Sequence, residues 1–440
     1  MKSNFSLLLP ALLLFTTVQP AGAKTAPEVL VRKALSTDAG ESARAIAELR
    51  SMGPAGLTLL SESYAGEIER QIKDPSAVVT PEWRRLSTAL DAVSQQKDSY
   101  ISGLFWYTDA DQAKAAARAT GKPILSLRLL GKLNEEFSCA NSRFFRTVLY
   151  PNAEVSRMLR EKFILHWQSV RPAPRVTIDF GDGRKLERTL TGNSIHCVLD
   201  TNGFPIDALP GLYGPAAFLR SLDRIENVFQ ELANSGSRKL AHHRERLNAI
   251  NLDWVADIQK TGGKVPQGLV VVRGTDGKPM AIEVASLAIT KMVSEATLLR
   301  SMTAGATELG KFTDEATLKK IALLHLSDAK LDARSISLIK RKTQNAFLAD
   351  GSKTTAETAL ANLLQKLEVN IALDTMRNEY LLHPKLHAWL VADSRRDNVD
   401  ALNEKVYAEL FLTPASDPWL GLFSAETYTA LENGGVSVSR

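Results

Sequence analysis

The chain has 440 residues, of which 44% are hydrophobic and 23% charged, a balance that fits a globular protein and excludes disorder. Lys and Arg number 54 against 49 Asp and Glu, and the net charge of +5 is spread in mixed-sign runs such as Glu67-Ile68-Glu69-Arg70 and Arg244-Glu245-Arg246. That pattern describes a solvated surface and excludes the clustered basic face of a nucleic-acid binder.

Residues 1 to 23 read as a cleavable signal peptide. Lys2 gives the positive start, Leu7 to Val18 the apolar core, and Ala21-Gly22-Ala23 the small-x-small cleavage site. The run is shorter than the roughly 20 apolar residues of a transmembrane helix, and Pro10 interrupts it. No later segment is apolar for long enough to span a bilayer, and no Cys follows the core for lipid attachment. The expectation is an exported protein, periplasmic or secreted, with no membrane span after cleavage. What remains is long enough for two or three domains.

Residues 24 to 100 carry helical stripes: Leu30, Val31, Ala34 and Leu35, then Ala43, Ile46, Ala47 and Leu49, then a third helix from Ala55 to Ile72. Breaks fall at Thr37 to Gly40 and at Ser51 to Pro54. The alternation resembles one HEAT-type unit, but no second copy follows at a fixed period, which favours a helical cap packed on the next domain. From 101 to 235 helices alternate with strands, as in an α/β layer with a mixed central sheet. The elements are a helix at Asp109 to Ala119, a strand at Ile124 to Leu130, a helix at Asn152 to Glu161 and a strand at Phe163 to Trp167. A hairpin turns at Gly181-Asp182-Gly183, a strand covers Ile195 to Leu199, and a closing helix starts near Pro215. Residues 236 to 440 read as a mostly helical domain with one β-hairpin near 268 to 284. Helical stripes follow at Ala285 to Met302, Asp314 to Leu326, Ala356 to Leu367 and Val369 to Leu382, and Trp389, Tyr407, Phe411, Trp419 and Phe423 are assigned to core filling.

The middle segment carries a resemblance. Trp106, the run Ala113 to Ala117, Gly121-Lys122-Pro123 and the strand after it, then Val155 thirteen residues beyond Ser142 and Phe163 eight further on, resemble a thioredoxin-like domain of secreted bacterial proteins. Leu199-Asp200-Thr201-Asn202-Gly203-Phe204-Pro205 and Leu209-Pro210-Gly211 are similar to that family downstream. The register sets Cys139 at the first cysteine of the family's Cys-x-x-Cys, Ser142 at the second, and Ser194 at its cis-proline. The family's Trp before the first cysteine is Ser138 here, and the stretch from Pro123 to Cys139 is longer than usual.

The resemblance implies an α/β thioredoxin-like fold between two helical segments, with Cys139 at a helix start where backbone N–H groups and the helix dipole favour a thiolate. Two functions follow from it. In one, the site is degenerate and the domain is non-catalytic, positioning the helical domains or binding an exported protein or peptide partner in the groove near Ser194. In the other, Cys139 works alone as a monothiol thiol-disulfide oxidoreductase or isomerase, without a resolving thiol. A Ser at 194 is expected in the trans form, since a non-proline cis bond costs about 2.5–4 kcal/mol. Cys139 and Cys197 are either a pair or two free thiols.

No cofactor or metal is expected. Cys139, His196 and Cys197 form a set suited to Cu(I), but adjacent strand residues point to opposite faces. His383 and His387 have the i, i+4 spacing of a zinc half-site without the Glu of the metalloprotease pattern, and two ligands do not make a closed site. Surface histidines are the expectation there. No Gly-x-Ser-x-Gly, phosphate loop or dinucleotide fingerprint occurs, and Gly262-Gly263-Lys264 precedes a strand-like run instead of a helix.

Overall fold

Helix starts in the first hundred residues are written locally. Pro27 sits in the first turn of α1 (Pro27–Ala34), where its missing N–H costs nothing. Asp38 caps α2 (Ala39–Ser51) by accepting from the Glu41 N–H, and Thr80 caps α5 (Pro81–Ser94) by accepting from the Trp83 N–H. The computed structural model describes residues 26–190, 193–232, 238–262, 315–349, 355–392, 398–420 and 430–436. The leader at 1 to 23, the hairpin expected near 268 to 284, the stripe at 285 to 302 and Phe423 lie outside the described residues.

The helix expected from Ala55 to Ile72 is two, α3 (Pro54–Ser63) and α4 (Ala65–Lys73). Tyr64 leaves helical geometry between them, and Gly66, a poor helix former, opens the second. Leu49, Leu60, Trp83, Leu86, Leu90 and Val93 bury together in a core separate from the main one, joined by Leu338 from the C-terminal part.

The sheet has the order β2-β1-β5-β6. Strand β1 (Ile124–Leu130) is parallel to β2 (Ile164–Arg171) and antiparallel to β5 (Ser194–Leu199), which pairs antiparallel with β6 (Pro205–Pro210). Tyr107 adds a parallel bridge to His166 at the far edge. Between β2 and β5 a separate hairpin, β3 (Arg175–Asp179) with β4 (Lys185–Thr189), stands away from the sheet. Every residue of β1, β5 and β6 is buried, so both faces of this mixed sheet are covered. The helices α7 (Ala110–Thr120), α8 (Ala140–Phe144), α9 (Ala153–Lys162) and α10 (Pro215–Leu232) flank it.

One continuous core runs from Leu104 to Phe411, so the helices beyond 236 share it with the sheet, apart from the first, whose Ile250 and Ile258 bury in a smaller cluster with Ile321, Met376 and Tyr380. These are α11 (Arg238–Thr261), α12 (Glu315–Leu324), α13 (Ala333–Ala349), α14 (Ala356–Arg377), α15 (His383–Ala392) and α16 (Val399–Lys405). The two stripes expected at 356 to 367 and 369 to 382 are one helix, α14, continued by a wider turn through Leu382. No Gly or Pro interrupts it. The loop after β6 docks on α14: Asn378 donates to the Leu212 carbonyl (2.7 Å), and the Gly214 N–H donates to Thr375 Oγ1 (2.8 Å). Gly214 lies so close to the turn at Leu326–Ala329 that a Cβ would stand 2.2 Å from the Asp328 carbonyl oxygen. Among the described residues no helix is long and apolar enough to cross a membrane.

Candidate functional site

Cys139 occupies the N-cap of α8, just beyond β1, with its N–H donating to the Leu130 carbonyl (3.1 Å). It is 0% exposed. Ser142, one turn on, is equally buried; its hydroxyl donates to the Cys139 carbonyl (2.8 Å) and lies 2.6 Å from Ser138 Oγ. The Ser142 hydroxyl is therefore spent on closing the first turn of its own helix. Arg146, also buried, donates to Ser138 Oγ (3.3 Å) and to the Glu136 carbonyl (3.2 Å). The phenols of Tyr150 and Tyr407 lie within electrostatic reach of Cys139, and burial first and the thiol second push both phenols up.

Tyr407 comes from the turn that follows α16. Its hydroxyl donates to the Asn193 carbonyl (2.9 Å), next to Ser194. Arg171 of β2 donates to the carbonyls of Thr413 and Pro414, fastening the same segment. Ser194 is buried, its peptide bond is trans as expected, and its carbonyl accepts from the Gly211 N–H (2.8 Å). Beside Ser194, where a partner groove was expected, Asn193 is hydrogen-bonded to Tyr407, Phe411 and Thr413. Of the aromatics assigned to core filling, Tyr407 and Phe411 are buried, whereas Trp419 is 43% exposed.

Cys139 and Cys197 are both buried free thiols. Burial pushes the Cys197 thiol up to about 12. His196, its neighbour on β5, faces the other way, sharing a hydrogen bond with Tyr150 (2.8 Å) between the rings of Phe145 and Phe218. Burial holds its imidazole down at about 3, so it is neutral. Among the described residues Cys139, His196 and Cys197 join no group of converging metal ligands.

A second constellation lies at the β6 edge, where the sequence led only to the expectation of surface histidines. The expectation of surface histidines at 383 and 387 is corrected: both are buried, as are His242 and His243 of α11 and Asp207 of β6. His242 Nε2 donates to Asp207 Oδ2 (2.8 Å). His243 Nδ1 and His387 Nδ1 share a hydrogen bond (3.0 Å), and His383 Nδ1 donates to Glu379 Oε2 (3.0 Å). The Nε2 atoms of His243, His383 and His387 are buried with no hydrogen-bond partner. An unsatisfied buried polar atom costs about 1–3 kcal/mol, so three in one cluster need an explanation. Asp207 forms one potential ligand group with His242 and His243 and another with His383 and His387.

The charges of this cluster are strongly coupled. Burial opposes ionisation of Asp207, but His387, His242 and His383 outweigh it and hold the carboxyl well below the usual range. Burial holds His387 far down, and His243 at about 4, so both are neutral at neutral pH. For His383 burial is outweighed by Glu379 and Asp207, which raise it to about 9. The sequence signals were the i, i+4 pair and the adjacent His242-His243; burial and convergence on Asp207 are tertiary facts. The chain matches no protein-family model, no curated protein and no solved structure with which it was compared.

Proposed function

We propose that residues 101 to 235 form a thioredoxin-like domain with a retired exchange site, serving an exported protein as the internal scaffold on which its own C-terminal helices dock. The observation that carries this reading is the complete burial of Cys139 in the main core, which also holds Tyr407. Thiol–disulfide exchange requires a thiolate that reaches a disulfide sulfur of another molecule, and a sealed thiol has no such approach. The strand order, with one parallel pair, two further antiparallel strands and a cysteine at the first helix start after β1, supports the thioredoxin resemblance. The place that resemblance gives to a peptide partner is taken in cis by Tyr407 against Asn193.

The test is alkylation of Cys139 in the folded chain, with Cys197→Ala as background. The expected rate follows global unfolding, rising with urea and falling with added stabiliser. Alkylation of the folded protein that saturates near neutral pH would overturn the scaffold reading in favour of the monothiol enzyme. Ser142→Cys restores the Cys-x-x-Cys spacing and is expected to gain no disulfide reductase activity while the seal holds.

A further inference from the structure

We propose that Asp207, His383 and His387 hold one divalent transition-metal ion of the zinc class that staples the β6 edge of the sheet to α15. This inference is independent of the state of Cys139.

The geometry is that of a three-ligand site drawn slightly open. Two ligands about 2.1 Å from a tetrahedral centre stand about 3.4 Å apart. His383 Nε2 is 3.8 Å from Asp207 Oδ1, and His387 Nδ1 is 3.9 Å from the same oxygen. These separations are too long for hydrogen bonds and close to what a shared ion needs. His243 Nδ1 lies 3.0 Å from His387 Nδ1, beside this group on α11.

The surrounding groups already perform the orienting work a metal site requires. Glu379 takes the Nδ1 proton of His383, which fixes the tautomer that turns the Nε2 lone pair toward Asp207. Arg246 in turn holds Glu379 (2.6 Å). His242 donates to Asp207 Oδ2, leaving Oδ1, which accepts only the Ala208 N–H (2.8 Å), to face His383 and His387.

The donor set selects the ion class. Two imidazoles and one carboxylate suit zinc and its neighbours, whereas calcium and magnesium take oxygen ligands. All three protein ligands are buried, so the ion would be held away from bulk solvent.

The experiment uses the untagged chain, stripped with a chelator and titrated with zinc alone. Uptake of one equivalent per chain is expected, with a higher Tm, and cobalt in place of zinc should give the visible absorption of a four-coordinate nitrogen and oxygen site. His383→Gln with His387→Gln should abolish uptake, and Glu379→Gln should weaken it by about 10–100-fold by releasing the His383 tautomer. Because those variants risk misfolding, the cobalt spectrum of the unmodified chain stands as the separate readout. Failure of the unmodified, folded chain to take up zinc or to give that spectrum would overturn the site, leaving a cluster that holds a proton between carboxylates. Undiminished uptake in the double variant would overturn it equally.

Discussion

At the Cys139 end of the sheet a thiol and three serines, Ser138, Ser142 and Ser194, are fully buried, and the segment near 407 to 414 is fastened to Asn193 and Arg171 beside them. At the β6 edge α11 and α15 lay four histidines over a carboxylate and leave three ring nitrogens without partners. Both places are buried under helices of the same C-terminal part. The first holds a single thiol at a helix start with no exposure; the second gathers four histidines about a carboxylate. A sequence pattern records where a site sits in a fold, whereas reactivity depends on exposure and on which side chains converge.

The largest effect expected comes from breaking the seal. Tyr407→Ala removes a fully buried ring from the main core, and such truncations cost about 3–5 kcal/mol. Urea unfolding should show that loss, and Cys139 should alkylate faster than the drop in stability alone accounts for. Tyr407→Phe keeps the ring and loses only the hydrogen bond to Asn193, so it should cost about 1 kcal/mol and leave the thiol sealed. Equal alkylation rates in the two variants would mean that Tyr407 does not cover Cys139.

A second prediction sharpens the contrast at the other edge, where charges outside the histidine cluster are fully paired. Arg220 of α10 grips Asp328 with two hydrogen bonds of 2.7 Å each, and the two partners with His325 hold the Asp328 carboxyl well below its usual range against the effect of burial. The Arg220 side chain is 55% exposed, which discounts the pair. Asp328→Asn should therefore cost about 1–2 kcal/mol in urea unfolding. It should leave metal uptake by the unmodified histidines unchanged, since Asp328 touches none of them.

Much of the sheet was legible because its strands are short apolar runs between turn signals, as at Ile124 to Leu130 and at Ile195 to Leu199. Strand β6 was not, because Pro205 and Pro210 bound it, and prolines are tolerated there only as it forms an edge. Cys139 at a helix start was legible from register alone; its burial was not, since the core that holds it with Tyr407 is fixed by tertiary packing. The histidine spacing was visible as well, but His243 and His387 meet across 144 residues, and Asp207 reaches them only through the placement of β6. Local periodicity carries no information at that range.

The smallest effect tests whether the paired network beside the cluster titrates as its geometry requires. His325 hydrogen-bonds Asp257 of α11 (2.5 Å), which also accepts from Tyr380 (2.7 Å). Its contact with Asp328 raises the imidazole above its ordinary value, burial opposes this, and the bond to Asp257 adds to it. A group whose pKa is raised on folding stabilises fully below its unfolded value and loses that contribution as pH rises through the folded value. Asp257 and Asp328 are shifted down, so their contributions are complete above the usual carboxylate range and stay constant near neutrality. His383 is shifted up to about 9 and falls with the same sign, so the wild-type slope alone does not isolate His325. The difference between wild type and His325→Gln does. With chelator present, that difference should shrink by less than about 1 kcal/mol between about pH 6 and about pH 9, the small size reflecting a side chain still 30% exposed. A difference that grows over this interval would mean that His325 is neutral in the folded protein and that the Asp257–His325 contact is a hydrogen bond without charge.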